Sequence, residues 1–271
     1  MPDENMVASA TERFEIALHT SAGQVTAAVD VPTGFVPVSA IVPLMHRLGG
    51  EAQALELTRL SEQGKAPSCQ RGCAACCRML VPISAPEAFA LRDWIRSCPI
   101  DQQTRISARL HDVKAQLLSH GLWPRLAEFS EEGRQVDDQI LEDVNRAYYA
   151  LRIPCPFLED EECTIYEHRP AACRELLVLS PPDRCADVIK NPVEPVPVPI
   201  QMSTVLGLLW QELATTSTRL IPLPLILEWA ERHEQEREQT WGGTQLFDQA
   251  LEKLWRFLSQ SVSGNSTSNV R

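Results

Sequence analysis

Four cysteines stand within nine positions of this chain, in "SCQRGCAACCRMLVPIS" at residues 68–84, spaced C-x3-C-x2-C-C as Cys69, Cys73, Cys76 and Cys77. Such short spacings let a compact turn aim several thiolates at one metal ion or cluster. Four more follow at wider intervals, Cys155, Cys163, Cys173 and Cys185, which makes eight in all: enough for two tetrathiolate sites, or for one cluster with spare ligands. A helix across the first group would instead place its cysteines at i, i+4, i+7 and i+8, one stripe that a core could bury as small hydrophobes. Gly72 and the charges of Arg71 and Arg78 make that a poor packing helix, and the arginines favour thiolate over thiol. The vicinal pair adds a constraint. Side chains of adjacent residues diverge, so Cys76 and Cys77 are expected to face two different sites, or one to ligate while the other is structural or redox-active.

The ninth cysteine, Cys98, lies near the end of a helical pattern before Pro99 and reads as an ordinary cysteine rather than a ligand. His168, in "IYEHRPAAC", could ligate, but enough thiolates exist without it. His19, His46, His111, His120 and His233 have no partners at short spacing and read as surface or packing residues. The run "EDEE" at 159–162 lacks a glycine-turned ligand loop and reads as a solvated turn rather than a divalent-cation site.

The compartment bears on the thiols. The opening "MPDENMVASATERFE" has no apolar core of a secretory signal, and "LIPLPLILEWA" from Leu220 is too short to cross a bilayer, so a cytoplasmic location is expected. In a reducing cytosol clustered cysteines are metal ligands or redox groups rather than a disulfide framework. A formal charge of −11 disfavours nonspecific nucleic-acid or anionic-membrane binding. Neither a nucleic-acid partner nor a membrane is expected.

What must position these groups is a mainly α fold with a short N-terminal β-hairpin and an irregular cysteine-rich centre. Phe14, Ile16 and Leu18 alternate with polar positions, as do Val25, Ala27, Val29 and Val31, and "TSAGQ" between them supplies a turn. Ile41, Leu44, Met45, Leu48, Ala52 and Leu55 follow a helical period, weakened by Gly49-Gly50 and stopped by Pro67. "SAPE" at 84–87 predicts a capping box opening a helix from Ala85 to Ser97. Asp101 would cap the next helix, with Ile106, Leu110, Val113 and Leu117 in its stripe and Gly121 at its end. Val136, Ile140, Val144, Ala147, Tyr148 and Leu151 form a further stripe. The second cysteine region has no sustained period and reads as an ordered loop with short helical turns. "NPVEPVPVPI" reads as an extended segment, followed by helices over 202–215, 224–238 and 245–259. The expected organisation is a flexible N-terminus at 1–12, the hairpin and helix at 13–64, a cysteine-cluster metal-binding domain at 65–190, the proline-rich segment and C-terminal helices at 191–260, and a disordered tail at 261–271.

"CQRGCAACCRMLVPISAPEA" followed by "CPFLEDEECTIYEHRPAACR" resembles the YkgJ-type cysteine-cluster family of zinc- or iron-chelating proteins, to which the cysteine domain of flagellin lysine N-methylases is related. The resemblance rests on Cys69 to Cys77, on Cys155-Pro156-Phe157-Leu158, and on Cys163-x-Ile165-Tyr166-x-x-Arg169-Pro170-x-x-Cys173-Arg174, and covers about residues 65 to 190. It implies a metal-binding domain with seven motif cysteines and Cys185 as an eighth. The metal ligands expected are therefore Cys69, Cys73, Cys76, Cys77, Cys155, Cys163, Cys173 and Cys185. Pro170 would fix the turn before Cys173, and Arg169 and Arg174 would place positive charge beside an anionic thiolate site.

Three functions follow from different classes. The first is a protein holding iron, as an iron–sulfur cluster, or zinc through these thiolates, serving a redox or methyl-transfer reaction. The second is a zinc-stabilised interaction module whose C-terminal helices bind a partner. The third, a radical-SAM enzyme, rests on the three-cysteine spacing of Cys69, Cys73 and Cys76. It is disfavoured because the downstream region is helical and lacks the alternating strands of a barrel.

Overall fold

A computed structural model of the chain describes residues 10–131, 137–188, 190–215 and 220–264, with side chains to 259. The N-terminal end over 1–9, the start of the third helical stripe at Val136, and the tail over 265–271 lie outside the described residues.

Two alternating segments make the hairpin as their period requires: β1 (Thr11–Thr20) pairs antiparallel with β2 (Gly23–Pro32), in a register that sets Thr20 opposite Gly23 and Phe14 opposite Val29. Ile16, Leu18, Val25, Ala27, Val29 and Val31 all point to one buried face. β3 (Phe35–Pro37) and a 3-10 turn lead into α1 (Val42–Glu62). This helix runs through Gly49-Gly50 and ends before Gly64 (φ +73°), short of Pro67. After β4 (Pro82–Ile83) the capping box starts α2 (Ala85–Ser97) where the sequence placed it. α3 (Ile100–Ser119) buries Ile106, Leu110, Val113 and Leu117, but Pro99 is its N-cap and Asp101 sits in the first turn. α4 (Trp123–Phe129) and α5 (Asp138–Leu151) complete a second, smaller core of Val113, Leu117, Leu126, Phe129, Val144 and Tyr148.

The chain then returns through β5 (Leu158–Glu159), β6 (Glu162–Cys163) and α6 (Ala171–Glu175). The proline-rich segment is extended and lies against the cysteine region: Leu179 N–H donates to Glu194 O at 2.8 Å and Val196 N–H to Leu177 O at 2.8 Å. α7 (Met202–Leu213), β7 (Ile221–Pro222), α8 (Ile226–Arg232), α9 (Glu234–Arg237), β8 (Thr240–Gly242) and α10 (Gly243–Gly264) follow. The single helix expected over 224–238 is broken. His233 leaves helical geometry (φ −108°, ψ 29°), its ring stacks on Trp229 at 4.2 Å, and its Nδ1 bonds Trp229 O at 2.8 Å. Among the described residues the strand pairs are all antiparallel and two-stranded, and the expected mainly α architecture with its N-terminal hairpin is observed.

The main core joins the hairpin face, α1, α2, α7, α8 and α10 around Phe89, Trp210, Trp229 and Phe247. At its edge α10 begins so close to the hairpin that a β-carbon on Gly243 would lie 2.0 Å from the carbonyl oxygen of Pro32, while Gly243 N–H donates to Gly34 O at 2.9 Å. Backbone cannot yield as a side chain can. Gly243→Ala should therefore cost about 2 kcal/mol or more, read as a lowered urea midpoint with unchanged slope.

Candidate metal centre

Chain direction around the first cysteines is set by turns, not by a helix. Cys73 N–H donates to Gln70 O, Cys77 N–H to Ala74 O and Met79 N–H to Cys76 O, each at 3.0 Å, and Gly72 takes φ +88°. The helical excursion of α2 to α5 ends at Arg152, whose left-handed φ of +52° turns the chain, and Cys155 N–H then donates to Cys77 O at 2.7 Å. Cys155 precedes a hairpin, β5–β6, and Cys163 ends it, opposite Leu158. Its two-residue loop is Asp160-Glu161, both at positive φ (50° and 59°), the twist that such a tight hairpin demands. The acidic run is thus the turn it was read to be. Glu161 also pairs with Arg78 at 2.5 Å, tying the second cysteine region to the first.

Pro170 caps α6, which presents Cys173. Both ends of this one-turn helix are held by carboxylates, the first buried and the second half-buried. Glu87 Oε1 accepts from Ala171 N–H at 2.6 Å at the start, and Glu175 at the end accepts from Ser203 N–H at 3.1 Å and Ser203 Oγ–H at 2.8 Å. Glu87 Oε1 is also 2.9 Å from His46 Nε2, and its Oε2 accepts from Ser84 N–H at 3.1 Å and Ser84 Oγ–H at 2.7 Å. Burial alone would raise this carboxyl. The bonds and charge of His46, with Ala171 and Ser84, outweigh burial and hold it below the ordinary carboxylate value.

The result is a cavity of about 180 Å³ lined by six thiols, Cys73, Cys76, Cys77, Cys155, Cys163 and Cys173, together with Tyr166 and Arg169. Cys69 and Cys185 do not line it. They stand beside it: Cys69 Sγ accepts from Val178 N–H at 3.3 Å, and the charges of Cys73 and Cys76 bear on both. Cys76 is the common member, since its charge acts on Cys69, Cys77, Cys155, Cys163, Cys173 and Cys185. The eight cysteines singled out in the sequence therefore share one neighbourhood, six lining the cavity (Cys73, Cys76, Cys77, Cys155, Cys163, Cys173) and two flanking it (Cys69, Cys185). Cys98 is apart, its Sγ bonded to Trp94 O at 3.3 Å. His168 faces away from the thiols and stacks on Trp94 at 4.6 Å.

One expectation is corrected. Cys76 and Cys77 do not face two different places: both line the same cavity and hydrogen-bond each other, because consecutive turns, unlike a helix or strand, need not splay adjacent side chains. The bond from Cys77 stabilises the Cys76 thiolate and brings its pKa down to about 7, while Cys77 holds the proton and is pushed far up. Burial, then neighbouring thiols, push Cys155 up to about 12 and Cys173 well above the ordinary value. Arg169, over the face of Tyr166 at 3.8 Å, opposes this in Cys69, Cys76, Cys163 and Cys173. All nine cysteines keep some accessible surface, which for the six inner ones is the wall of the cavity itself.

These shifts make a reactivity order. In metal-free protein, iodoacetamide at pH 7 should modify Cys76 at least about tenfold faster than Cys155 or Cys173, because only the thiolate attacks. Peptide mapping against time checks this, and the Cys76 rate should fall as pH drops through about 7.

The donor set suits a metal. Burial and neighbouring thiols set Cys77, Cys155, Cys163 and Cys173 against ionisation, and a thiophilic cation relieves this by favouring their deprotonated forms. Among the described residues no three cysteine, histidine, aspartate or glutamate side chains close on a point as they stand. The thiols ring a space instead.

Fold and site together define a helical protein with a thiol cage at its irregular centre. Residues 68–186 match the CxxCxxCC family model, described as a "putative zinc- or iron-chelating domain", so this stretch carries that domain, in agreement with the cysteine-cluster resemblance; the flanks, more than half of the chain, lie outside it. Comparison with curated proteins and with solved structures returns no match. Among the described residues no helix is long and apolar enough to cross a membrane.

Proposed function

We propose that the thiol cage holds iron, as an iron–sulfur cluster, and serves electron transfer. The observation that carries this reading is the cavity: six cysteines from two segments about eighty residues apart surround a space of about 180 Å³. A structural zinc ion is gripped by four converging ligands in a closed site and leaves no such space. A cluster fills one, and uses thiolate ligands alone. Its ligands would come from the six lining cysteines, Cys73, Cys76, Cys77, Cys155, Cys163 and Cys173, while Cys69 and Cys185 would extend the site. When bound, the cluster would supply a one-electron couple. The chain's own contribution is to exclude water with Leu80, Val81 and Leu223, and to set the potential through Arg169 and the burial of the thiols.

The competing reading is zinc in the same cage, stabilising a module that binds a partner. All-thiolate ligation suits zinc as well, and two ions would account for eight cysteines. Anaerobic purification with metal analysis and an absorption spectrum separates the two. Iron with a visible band that bleaches on reduction supports the cluster; zinc with no visible band supports the module and removes electron transfer.

A further inference from the structure

The largest cavity described is not the thiol cage. It measures about 810 Å³ and lies between α1, α2 and the 167–174 segment, on the other side of α6: Cys173 lines the cage, and its neighbour Arg174 lines this second space. Its apolar surface comes from Val42, Pro43, Ala54, Leu91 and Trp94.

Three features of this cavity are not fully used by the fold. Arg174 is half-buried, yet its Nε and Nη2 donate only to the backbone carbonyls of Arg169 and Glu167. The charges of Glu167 and Glu87 reach it, but among the described residues no carboxylate lies within ion-pairing distance, so a partly desolvated cation has no direct ion pair. His46 uses Nε2 on Glu87, and its Nδ1 makes no hydrogen bond among the described residues. The third feature is Gly50. On α1 the positions 46, 50 and 54 share one face, which looks into the cavity. A glycine there costs a helix about 0.5–1 kcal/mol relative to alanine. A β-carbon on Gly50 would meet nothing within 4 Å, so packing does not demand it. What the missing side chain leaves is room.

The carboxylates on the wall do not fill the gap. Glu87 is matched by His46 and three N–H and O–H donors, Asp93 pairs with Arg92 and Arg237, and Glu167 is exposed and pairs with Arg71. Glu51 is exposed one turn along α1 from Arg47, which also lines the cavity.

We propose that this cavity is a binding site for a small molecule with an apolar body and one oxyanion group, a carboxylate or a phosphate, received by Arg174 with Arg47 beside it. Arg174 makes charge-assisted bonds to the oxyanion, and the body lies over Trp94 and Leu91 in the space that Gly50 and Ala54 leave open.

The test is calorimetric titration of the protein as purified with phenyl phosphate, benzoate and inorganic phosphate. Phenyl phosphate or benzoate should bind saturably with a dissociation constant of about 1 mM or tighter, and which of the two binds identifies the head group. Inorganic phosphate, lacking the body, should bind at least about tenfold more weakly. Arg174→Gln should weaken binding by at least about tenfold. Because that change also touches the turn before the thiols, Gly50→Phe is the second variant. It fills the cavity from an unobstructed position, and it should abolish binding with the melting temperature kept. Arg146→Gln, on the exposed face of α5, should bind as the wild type does. No saturable binding of either organic probe, or equal binding by wild type and Gly50→Phe, overturns the proposal.

Discussion

Replacing Cys155 by serine should strip the protein of most of its metal and lower its melting temperature in the same step. Cys155 is deep in the cage, is bonded through its N–H to Cys77 O, and has neighbours from both cysteine segments. Serine matches its size but is a far poorer ligand for a soft metal, so ligation is lost while packing changes little. Metal affinity should fall by at least about tenfold, and because metal-binding free energy is also folding free energy, stability should follow. The same holds for Cys73, Cys76, Cys77, Cys163 and Cys173. Cys69→Ser and Cys185→Ser should give a smaller loss, since those two stand outside the cavity. Cys98→Ser, bonded to Trp94 O and remote from the cage, should leave metal per chain unchanged. Metal analysis and thermal midpoints across the series check this. Equal losses from Cys98 and Cys155 would mean that the thiols act as core residues.

The second large effect is expected at a residue that touches no thiol. Glu87→Ala should cost about 3 kcal/mol, because it leaves the N–H groups of Ala171 and Ser84 buried without acceptors and opens a hole beside His46. It should also loosen α6 and with it Cys173, so metal affinity should fall although no ligand has changed. The pH dependence has a definite sign. The folded carboxyl lies below its ordinary value of 4.5, so its contribution to stability is present above pH 4.5 and is lost as pH falls through the lowered value. In urea titrations the acid limb of the wild-type stability curve should be steeper than that of Glu87→Gln. Glu175, raised by burial, contributes in the opposite sense, its share lost as pH rises through its folded value.

Local signals in the sequence carried far. The period-2 runs around Phe14 and Val29, the Ser84-to-Glu87 spacing and the stripe from Ile106 to Leu117 each specify an element within a dozen residues, and each is found in place. Thiol chemistry was legible as well, because eight cysteines in two groups have few uses. What was not legible depends on distance along the chain. Pairing of β3 with β8 joins residues about two hundred positions apart. Glu87 reads as half of a capping box, yet its other oxygen reaches His46 and Ala171, 41 and 84 positions away, which no local pattern announces. His46 accordingly looked like a packing histidine. α4 is too short to show a period, although Trp123, Leu126 and Phe129 mark its buried side. The division of the cysteines into a lining six and a flanking two arises from turns at Gly72 and Pro170, where neither helix nor strand geometry orients the side chains.

The central claim is that thiolates from both cysteine segments ligate one metal centre. X-ray absorption at the metal edge of the anaerobically purified protein tests it most directly. A first shell of sulfur alone, at about 2.3 Å, is the result the cage predicts. For iron, a second scatterer from a neighbouring iron should accompany it. Loss of that sulfur shell in Cys163→Ser as well as in Cys73→Ser would place both segments on the same centre. A first shell of nitrogen and oxygen, or a sulfur shell unchanged in both variants, would contradict the account.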